Sequence, residues 1–465
     1  MLFSGIPFLY CFLPIVLILY AIAPKKLKNA VLMIVSLVFY GCGGPRYLLL
    51  MVAAILIGYI VGLLIGHAKS KTAKKLFLTL SVAILAGLLG YFKYADFFVS
   101  NVNALFHSSI PLLKVVLPIG ISFYTFQILS YDVDVYRGTP VQKNLINFAA
   151  YVSMFPQLIA GPIVRYTDVE KELSFRTHDI TLVYEGIRRF IVGLSKKILL
   201  ANLFAELNNA FRAAEEKSVL FYWMYAVSYT LLIYFDFSGY SDMAIGLGKL
   251  FGFHFPENFN YPYLSRSVTE FWRRWHMTLG GWFRDYVYIP LGGNRVSRGR
   301  WIFNVCVVWA LTGLWHGAAW NFVLWGLMFA VLLVAEKLFI NRLLSRLPRA
   351  VSHVYVLAVI MISFVIFNAE SMTQAVGDLS AMFGAGKLPF INDVTVYYLK
   401  SYAVIFLFGI IGSTPLIRNA AQKLRTVKNG VVSSVAEPIG MTALLLVCTA
   451  FLVDGSFNPF LYFRF

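Results

Sequence analysis

Two histidines in apolar surroundings are the residues of this chain with the most specific chemistry. His316 lies inside the otherwise apolar run Trp309–Trp320, and His276 lies forty residues earlier, within Val268–Asp285. A neutral imidazole can take the proton from a hydroxyl that attacks a thioester, so the pair is compatible with acyl transfer. The residues alone leave both an enzyme and a transporter open, with His316 central in either. A buried structural histidine, bonded to a neighbouring helix, is the alternative interpretation of His316.

The segment around His276 is rich in charge. Its charged side chains are Glu270, Arg273, Arg274, Arg284 and Asp285. These are too many charges for a helix that faces lipid. On a continuous helix Arg273 and His276 share a face and Glu270 can pair with Arg274. A nearby arginine also favours the neutral imidazole of His276.

The arginines of this segment are the predicted binding residues for an anionic acyl donor. Arg273, Arg274 and Arg284 carry guanidinium groups that suit phosphates. The alternative is an amphipathic helix on the membrane surface, with its arginines against lipid headgroups.

Two carboxylates close another apolar run, at Tyr234–Gly246, where glycine and serine separate Asp236 from Asp242. We predict here a break in a helix that lines an aqueous cavity, with the carboxylates pairing arginines. An ion or proton relay in a transporter is the alternative. The predicted cavity-lining residues are Tyr234, Asp236, Ser238, Asp242, Asn258 and Trp315.

Several common catalytic motifs are absent from the sequence. It has no phosphate-binding P-loop, no dinucleotide fingerprint, no His-Glu-x-x-His and no Gly-x-Ser-x-Gly. Its four cysteines are scattered without metal-ligand spacing, and no metal site is predicted. Nucleotide hydrolysis, flavin chemistry, zinc proteolysis and the common serine-hydrolase chemistry therefore lack support.

The composition indicates what kind of element must position these residues. Of the 465 residues 59% are hydrophobic and 13% charged, about half the charge of a soluble chain. The sequence therefore predicts a polytopic, all-α membrane protein, with residues 1–465 as one integral membrane domain. The net charge of +18 fits basic loops on the cytoplasmic side. Nucleic-acid binding is not expected, because no basic stripe lies outside apolar surroundings.

Helix geometry places the later histidine deep in the bilayer. If a helix begins near Trp301, its rise of ~1.5 Å per residue carries His316 about 22 Å into a hydrocarbon layer of ~30 Å. An imidazole at that depth must line a cavity or find a partner. Gly313 and Gly317, four residues apart, permit close approach of a second helix or of a substrate.

Several strings together resemble the membrane-bound O-acyltransferase family, and within it the bacterial alginate O-acetylation branch. They are Phe155-Pro-Gln-Leu-Ile-Ala-Gly-Pro-Ile-Val-Arg165, Asp236-Phe-Ser-Gly-Tyr-Ser-Asp-Met-Ala-Ile-Gly246, Glu257-Asn-Phe-Asn-Tyr-Pro-Tyr263, Glu270-Phe-Trp-Arg-Arg-Trp-His276 and Gly313-Leu-Trp-His-Gly317. The resemblance implies that His316 is the catalytic histidine and His276 the second one. It also implies a ring of about eleven transmembrane helices, with re-entrant segments and short amphipathic helices around a central funnel.

The same resemblance implies a reaction and its partners. Acetyl-CoA is the expected acyl donor, with no permanently bound cofactor. The acetyl group moves outward through the cytoplasmic membrane, and a separate extracytoplasmic transferase places it on an exported polysaccharide. Apart from that transferase and acetyl-CoA, the expected partner is the lipid bilayer.

Three other functions stay open at this point. D-alanyl transfer for teichoic acid modification is the nearest alternative within the family. An ion-coupled transporter or flippase, using Asp236 and Asp242, is the alternative from another class. The last is a scaffold that only recruits the secreted transferase.

Overall fold

The computed structural model describes residues 3–426 and 435–455, and throughout these ranges the regular structure is helical, with no strand. Seven of the helices described there are long and apolar enough to cross a membrane. They are Pro45–His67, Lys71–Phe106, Val219–Leu250, Trp320–Leu344, Arg349–Asn368, Asp393–Gly412 and Glu437–Asp454. The predicted all-α membrane class is therefore confirmed, while the ring of about eleven helices stays a prediction.

Packing divides the chain into two compact units, each described here by itself. The first unit comprises Met1–Phe190 and Met243–Pro256. Its helices include a π-helical turn Phe8–Phe12, Leu13–Ile22, Lys28–Gly41, Pro45–His67, Lys71–Phe106, Ile121–Arg137, Leu145–Ser153, Phe155–Leu158, Tyr166–Ser174 and the start of Ile180–Ser195. The prediction of one integral membrane domain is not tested by this division.

The second unit comprises Ile191–Asp242 and Glu257–Phe465. Its α-helices are Asn202–Ala213, most of Val219–Leu250, Val268–Arg274, Met277–Phe283, Arg298–His316, Trp320–Ala335, Asn341–Leu344, Arg349–Asn368, Met372–Met382, Asp393–Gly412, Leu416–Thr426 and Glu437–Asp454. Shorter π-helical turns extend some of them, at Lys196–Ala201, Arg284–Tyr288 and Glu336–Ile340. Both candidate histidines belong to this unit.

Glycines bring the helix that carries His316 against the next helix along the chain. A Cβ atom on Gly326 would overlap the carbonyl oxygen of Trp309, and one on Gly313 would overlap that of Phe322. The two backbones therefore touch without intervening side chains. This close approach of a second helix at Gly313 is one of the two roles predicted for that glycine.

Candidate functional site

His316 is the last residue of the helix Arg298–His316. The chain turns to extended backbone at Gly317, and the side chain is only 6% exposed. The rings of Trp325 and Phe367 each lie edge-on to the imidazole, with centroids 5.3 Å away. An aromatic cage on a helix end thus holds this imidazole in place.

His276 lies between two short helices, not on one continuous helix. Val268–Arg274 ends before it and Met277–Phe283 begins after it, while His276 itself has a left-handed backbone with φ of 44°. The prediction that Arg273 and His276 share one face of a helix is therefore wrong. The predicted pairing of Glu270 with Arg274 is confirmed, at 2.8 Å between carboxylate and guanidinium.

The Asn258 side chain is hydrogen-bonded to His276. The Nδ1 atom of the imidazole lies 3.0 Å from the Asn258 Oδ1 atom, which also accepts bonds from the Thr278 backbone N–H and hydroxyl. The Asn258 amide group in turn donates to the Ser241 hydroxyl at 3.1 Å. The Phe237 ring packs edge-on against the imidazole at 4.7 Å.

The structure brings the two histidines into one neighbourhood. The Trp315 ring lies 5.0 Å from His316 and 5.8 Å from His276, measured between ring centroids. Burial lowers the pKa of His276 well below its ordinary value, and the proximity of His316 lowers it further. Both effects favour the neutral imidazole, and the main cause is burial rather than the nearby arginine that the sequence suggested.

A cavity of about 700 Å³ opens beside His276. Its lining combines aromatic and aliphatic side chains with basic ones, and includes Thr269, Trp272, Arg273, His276, Met277, Leu279, Phe283, Arg284, Tyr288, Val308, Trp309, Thr312 and Leu333. Thr312, one helical turn before His316, belongs to this lining, whereas His316 itself does not. A volume of this size is typical of a small-molecule site.

Two of the three predicted donor-binding arginines line this cavity. Arg273 and Arg284 do so, and Arg284 also pairs with Asp285 at 2.7 Å. Arg274 does not, because its side chain pairs with Glu270 and bonds to the Asn260 carbonyl oxygen.

The predicted cavity-lining residues lie next to the histidines or on the helix Val219–Leu250, but not on the surface of this cavity. Neither Asn258, Trp315, Tyr234, Asp236, Ser238 nor Asp242 belongs to its lining. The two carboxylates form ion pairs with lysines, Asp236 with Lys197 at 2.6 Å and Asp242 with Lys196 at 2.7 Å. These two ion pairs are with lysines, whereas the sequence suggested arginines.

The helix that carries these carboxylates is unbroken. It runs from Val219 to Leu250, through the glycine and serine residues that predicted a break. Gly239 does not break the helix but allows a close contact, since a Cβ atom there would lie 2.8 Å from the Gly193 carbonyl oxygen. Tyr234 and Ser238 are buried in this packing.

Sequence reasoning missed Glu336, which organises the start of the helix Val268–Arg274. Its buried carboxylate accepts hydrogen bonds from the Val268 N–H at 2.6 Å and from the Thr269 N–H and hydroxyl at 2.8 and 2.7 Å. An anion at a helix N-terminus satisfies backbone donors that have no partner in the helix. The feature of the sequence that could have identified Glu336 is its place at the end of an apolar run, where an acidic side chain needs a partner.

Comparison with known proteins connects this geometry to a family. The profile of the membrane-bound O-acyltransferase family matches residues 73–373, well over half of the chain. A probable alginate O-acetylase of Azotobacter vinelandii is 38% identical over the whole of both chains. One from Pseudomonas aeruginosa is 42% identical over 88% of this chain and 82% of its own. A peptidoglycan O-acetyltransferase of Helicobacter pylori is 33% identical over 88% and 83%.

Proposed function

We propose, from the premise that this chain belongs to the membrane-bound O-acyltransferase family, that it moves acetyl groups from cytoplasmic acetyl-CoA across the membrane for O-acetylation of an exported polysaccharide. Family membership makes it a multi-pass membrane acyltransferase. The relatives named as alginate and peptidoglycan O-acetylating proteins support acetyl as the acyl group and a polysaccharide as its destination. The cytoplasmic membrane as its location, and the ring of about eleven helices, belong to the same proposal.

The cavity beside His276 supports acetyl-CoA as the donor. Arg273 and Arg284 in its lining suit phosphate groups, and Trp272 and Trp309 in the same lining suit an acyl-pantetheine arm. We expect the nucleotide part of CoA to lie outside the cavity. Arg274, already paired with Glu270, has only an indirect part in this arrangement.

In the proposed reaction an acceptor hydroxyl attacks the thioester carbonyl carbon. His316 accepts the hydroxyl proton as the new C–O bond forms, the C–S bond breaks, and the same proton then passes to the departing CoA thiolate. His276 orients the thioester and assists in proton movement. The observation that carries this proposal is a pair of buried histidines on either side of Trp315, of which His276 lines a cavity together with two arginines.

A cellular experiment tests this function. His316→Ala is expected to abolish O-acetylation of the exported polysaccharide while the protein remains in the membrane at normal abundance. His67→Ala is the matched control, because His67 is exposed at the end of the helix Pro45–His67. Undiminished polysaccharide acetylation in the His316 variant would overturn the assignment.

The same proposal includes a separate extracytoplasmic transferase as the final carrier to the polysaccharide. To separate its contribution from that of the membrane protein, acetyl transfer is measured with purified protein, acetyl-CoA and a simple acceptor, with and without the extracytoplasmic fraction. D-alanyl transfer would instead require a D-alanyl donor and leave acetyl-CoA intact. Substrate movement without any thioester cleavage would indicate a transporter.

A further inference from the structure

We propose that Asn258 is a positioning residue that fixes the tautomer of His276, with the proton on Nδ1, so that Nε2 is the nitrogen that accepts a proton during acyl transfer. Only the role of Nε2 as proton acceptor in acyl transfer rests on the proposed function. The tautomer itself follows from the hydrogen bonds around Asn258, whatever the substrate.

The backbone of Thr278 fixes the orientation of the Asn258 side chain. Its N–H can only donate, and it points to the Asn258 side chain at 3.3 Å. If the amide were rotated by half a turn, this N–H would face an NH₂ group, and two donors would oppose each other. The oxygen of Asn258 therefore faces Thr278, and its nitrogen faces Ser241.

The same oxygen determines the protonation of His276. Asn258 Oδ1 has no hydrogen to give, and it lies 3.0 Å from the His276 Nδ1 atom. A hydrogen bond between these atoms requires the proton on Nδ1. In the neutral imidazole the basic lone pair then belongs to Nε2.

Backbone hydrogen bonds hold this arrangement rigid. The Met277 N–H donates to the Asn258 carbonyl oxygen at 3.0 Å, and the Asn260 N–H donates to the Arg274 carbonyl oxygen at 2.9 Å. The segment that carries Asn258 thus runs alongside the break between the two short helices. These bonds stabilise the left-handed backbone of His276, a conformation that costs free energy in a residue other than glycine.

Charged and titratable side chains lie near His276, whereas its hydrogen-bond partner Asn258 is uncharged. His316 approaches from the helix Arg298–His316, and Arg273 and Arg284 share the cavity. The helix Val219–Leu250 contributes the uncharged Phe237 ring directly and Ser241 through Asn258. The carboxylates beside them on this helix, those of Asp236 and Asp242, are each engaged by a lysine.

An amide and a carboxylate at position 258 would have different effects on the pKa of His276. Both anchors accept the Nδ1 proton, but a carboxylate also stabilises the imidazolium ion and raises the pKa of the histidine. With asparagine, the imidazole is neutral at rest, and the imidazolium ion that forms when Nε2 accepts a proton passes that proton to the thiolate readily. Asn258→Asp therefore separates anchoring, which it retains, from charge, which it changes.

The test compares kcat/KM for CoA release from acetyl-CoA over the range from about pH 5 to about pH 9. Asn258→Asp is expected to move the acidic limb of the profile upward by about one pH unit or more. Asn258→Ala is expected to lower kcat about tenfold or more, with the KM for acetyl-CoA nearly unchanged. Asn260→Asp, the same change at an exposed neighbour, is the control and should leave the profile in place.

A second measurement does not depend on activity. In protein labelled with ¹⁵N-histidine, the Nδ1 atom of His276 should carry the proton, and Asn258→Ala should produce a mixture of both tautomers. An unprotonated Nδ1 in the native protein, or an unshifted pH profile in active Asn258→Asp, would overturn the inference. If Nδ1 is protonated but no CoA is released, the tautomer stands and the proposed function fails.

Discussion

Two pairs of charged side chains in the second unit lie in different surroundings. Arg273 and Arg284 are exposed and line the cavity, where a ligand can reach their charge, and Arg284 also pairs with Asp285. Lys197 and Asp236 are almost completely buried and satisfy each other. The first group is suited to binding, the second to holding the fold together, and their substitution should have different effects.

For the arginines we predict an effect on donor affinity. Arg284→Gln and Arg273→Gln should each raise the KM for acetyl-CoA about tenfold, with a smaller change in kcat, because each removes a charge-assisted contact to phosphate. Steady-state kinetics of the purified protein measure this. Arg274→Gln is the matched control, since Arg274 lies outside the cavity lining and its half-buried pair with Glu270 contributes only about 0–1 kcal/mol. An equal rise in KM for the Arg274 variant would refute the assignment of the cavity.

For the buried ion pair we predict a loss of stability. Asp236→Asn removes the charge opposite the Lys197 ammonium group, and the loss of one partner from a buried pair costs about 3–5 kcal/mol. Thermal unfolding in detergent should show a clearly lower Tm. The transporter alternative gives the opposite pattern, with normal Tm and abolished ion-coupled movement.

At the scale of helices, the site depends on the contact between the helix of His316 and the helix Trp320–Ala335. Gly326 lies against the Trp309 carbonyl oxygen, and the Trp309 side chain lines the cavity. A displacement of either helix therefore alters both the cavity wall and the position of His316 at the helix end.

We accordingly predict that Gly326→Ala lowers both stability and activity. The added methyl group overlaps backbone atoms, and such overpacking costs about 1–3 kcal/mol. The matched control is Gly87→Ala, where nothing lies within 4 Å of the added atom. Tm and CoA release should fall for Gly326→Ala alone. Equal behaviour of both variants would show that close helix packing does not position the site.

At the scale of the whole molecule, composition was enough to predict the membrane class. The low charge and long apolar runs predict spanning helices, and seven helices of the described residues meet that requirement. The pairing of Glu270 with Arg274 could also be predicted, because residues four apart on a helix are neighbours. Both are properties of local sequence.

The features that the sequence did not predict depend on contacts distant along the chain. The break at His276 arises from hydrogen bonds to the segment of Asn258, whereas the local sequence is compatible with one helix. The unbroken helix through Gly239 depends in the same way on its packing against Gly193. Tertiary contacts therefore decided the local structure at both places.

The central claim is that the cavity, His276 on its wall and the neighbouring His316 transfer an acyl group from a CoA thioester. The most direct measurement is CoA thiol release from acetyl-CoA by the purified protein in proteoliposomes, with acceptor supplied. We predict release by the native protein and by His67→Ala, and a loss of about 10²-fold or more in His316→Ala. Native rates of release from the His316 variant, with the fold intact, would contradict the account.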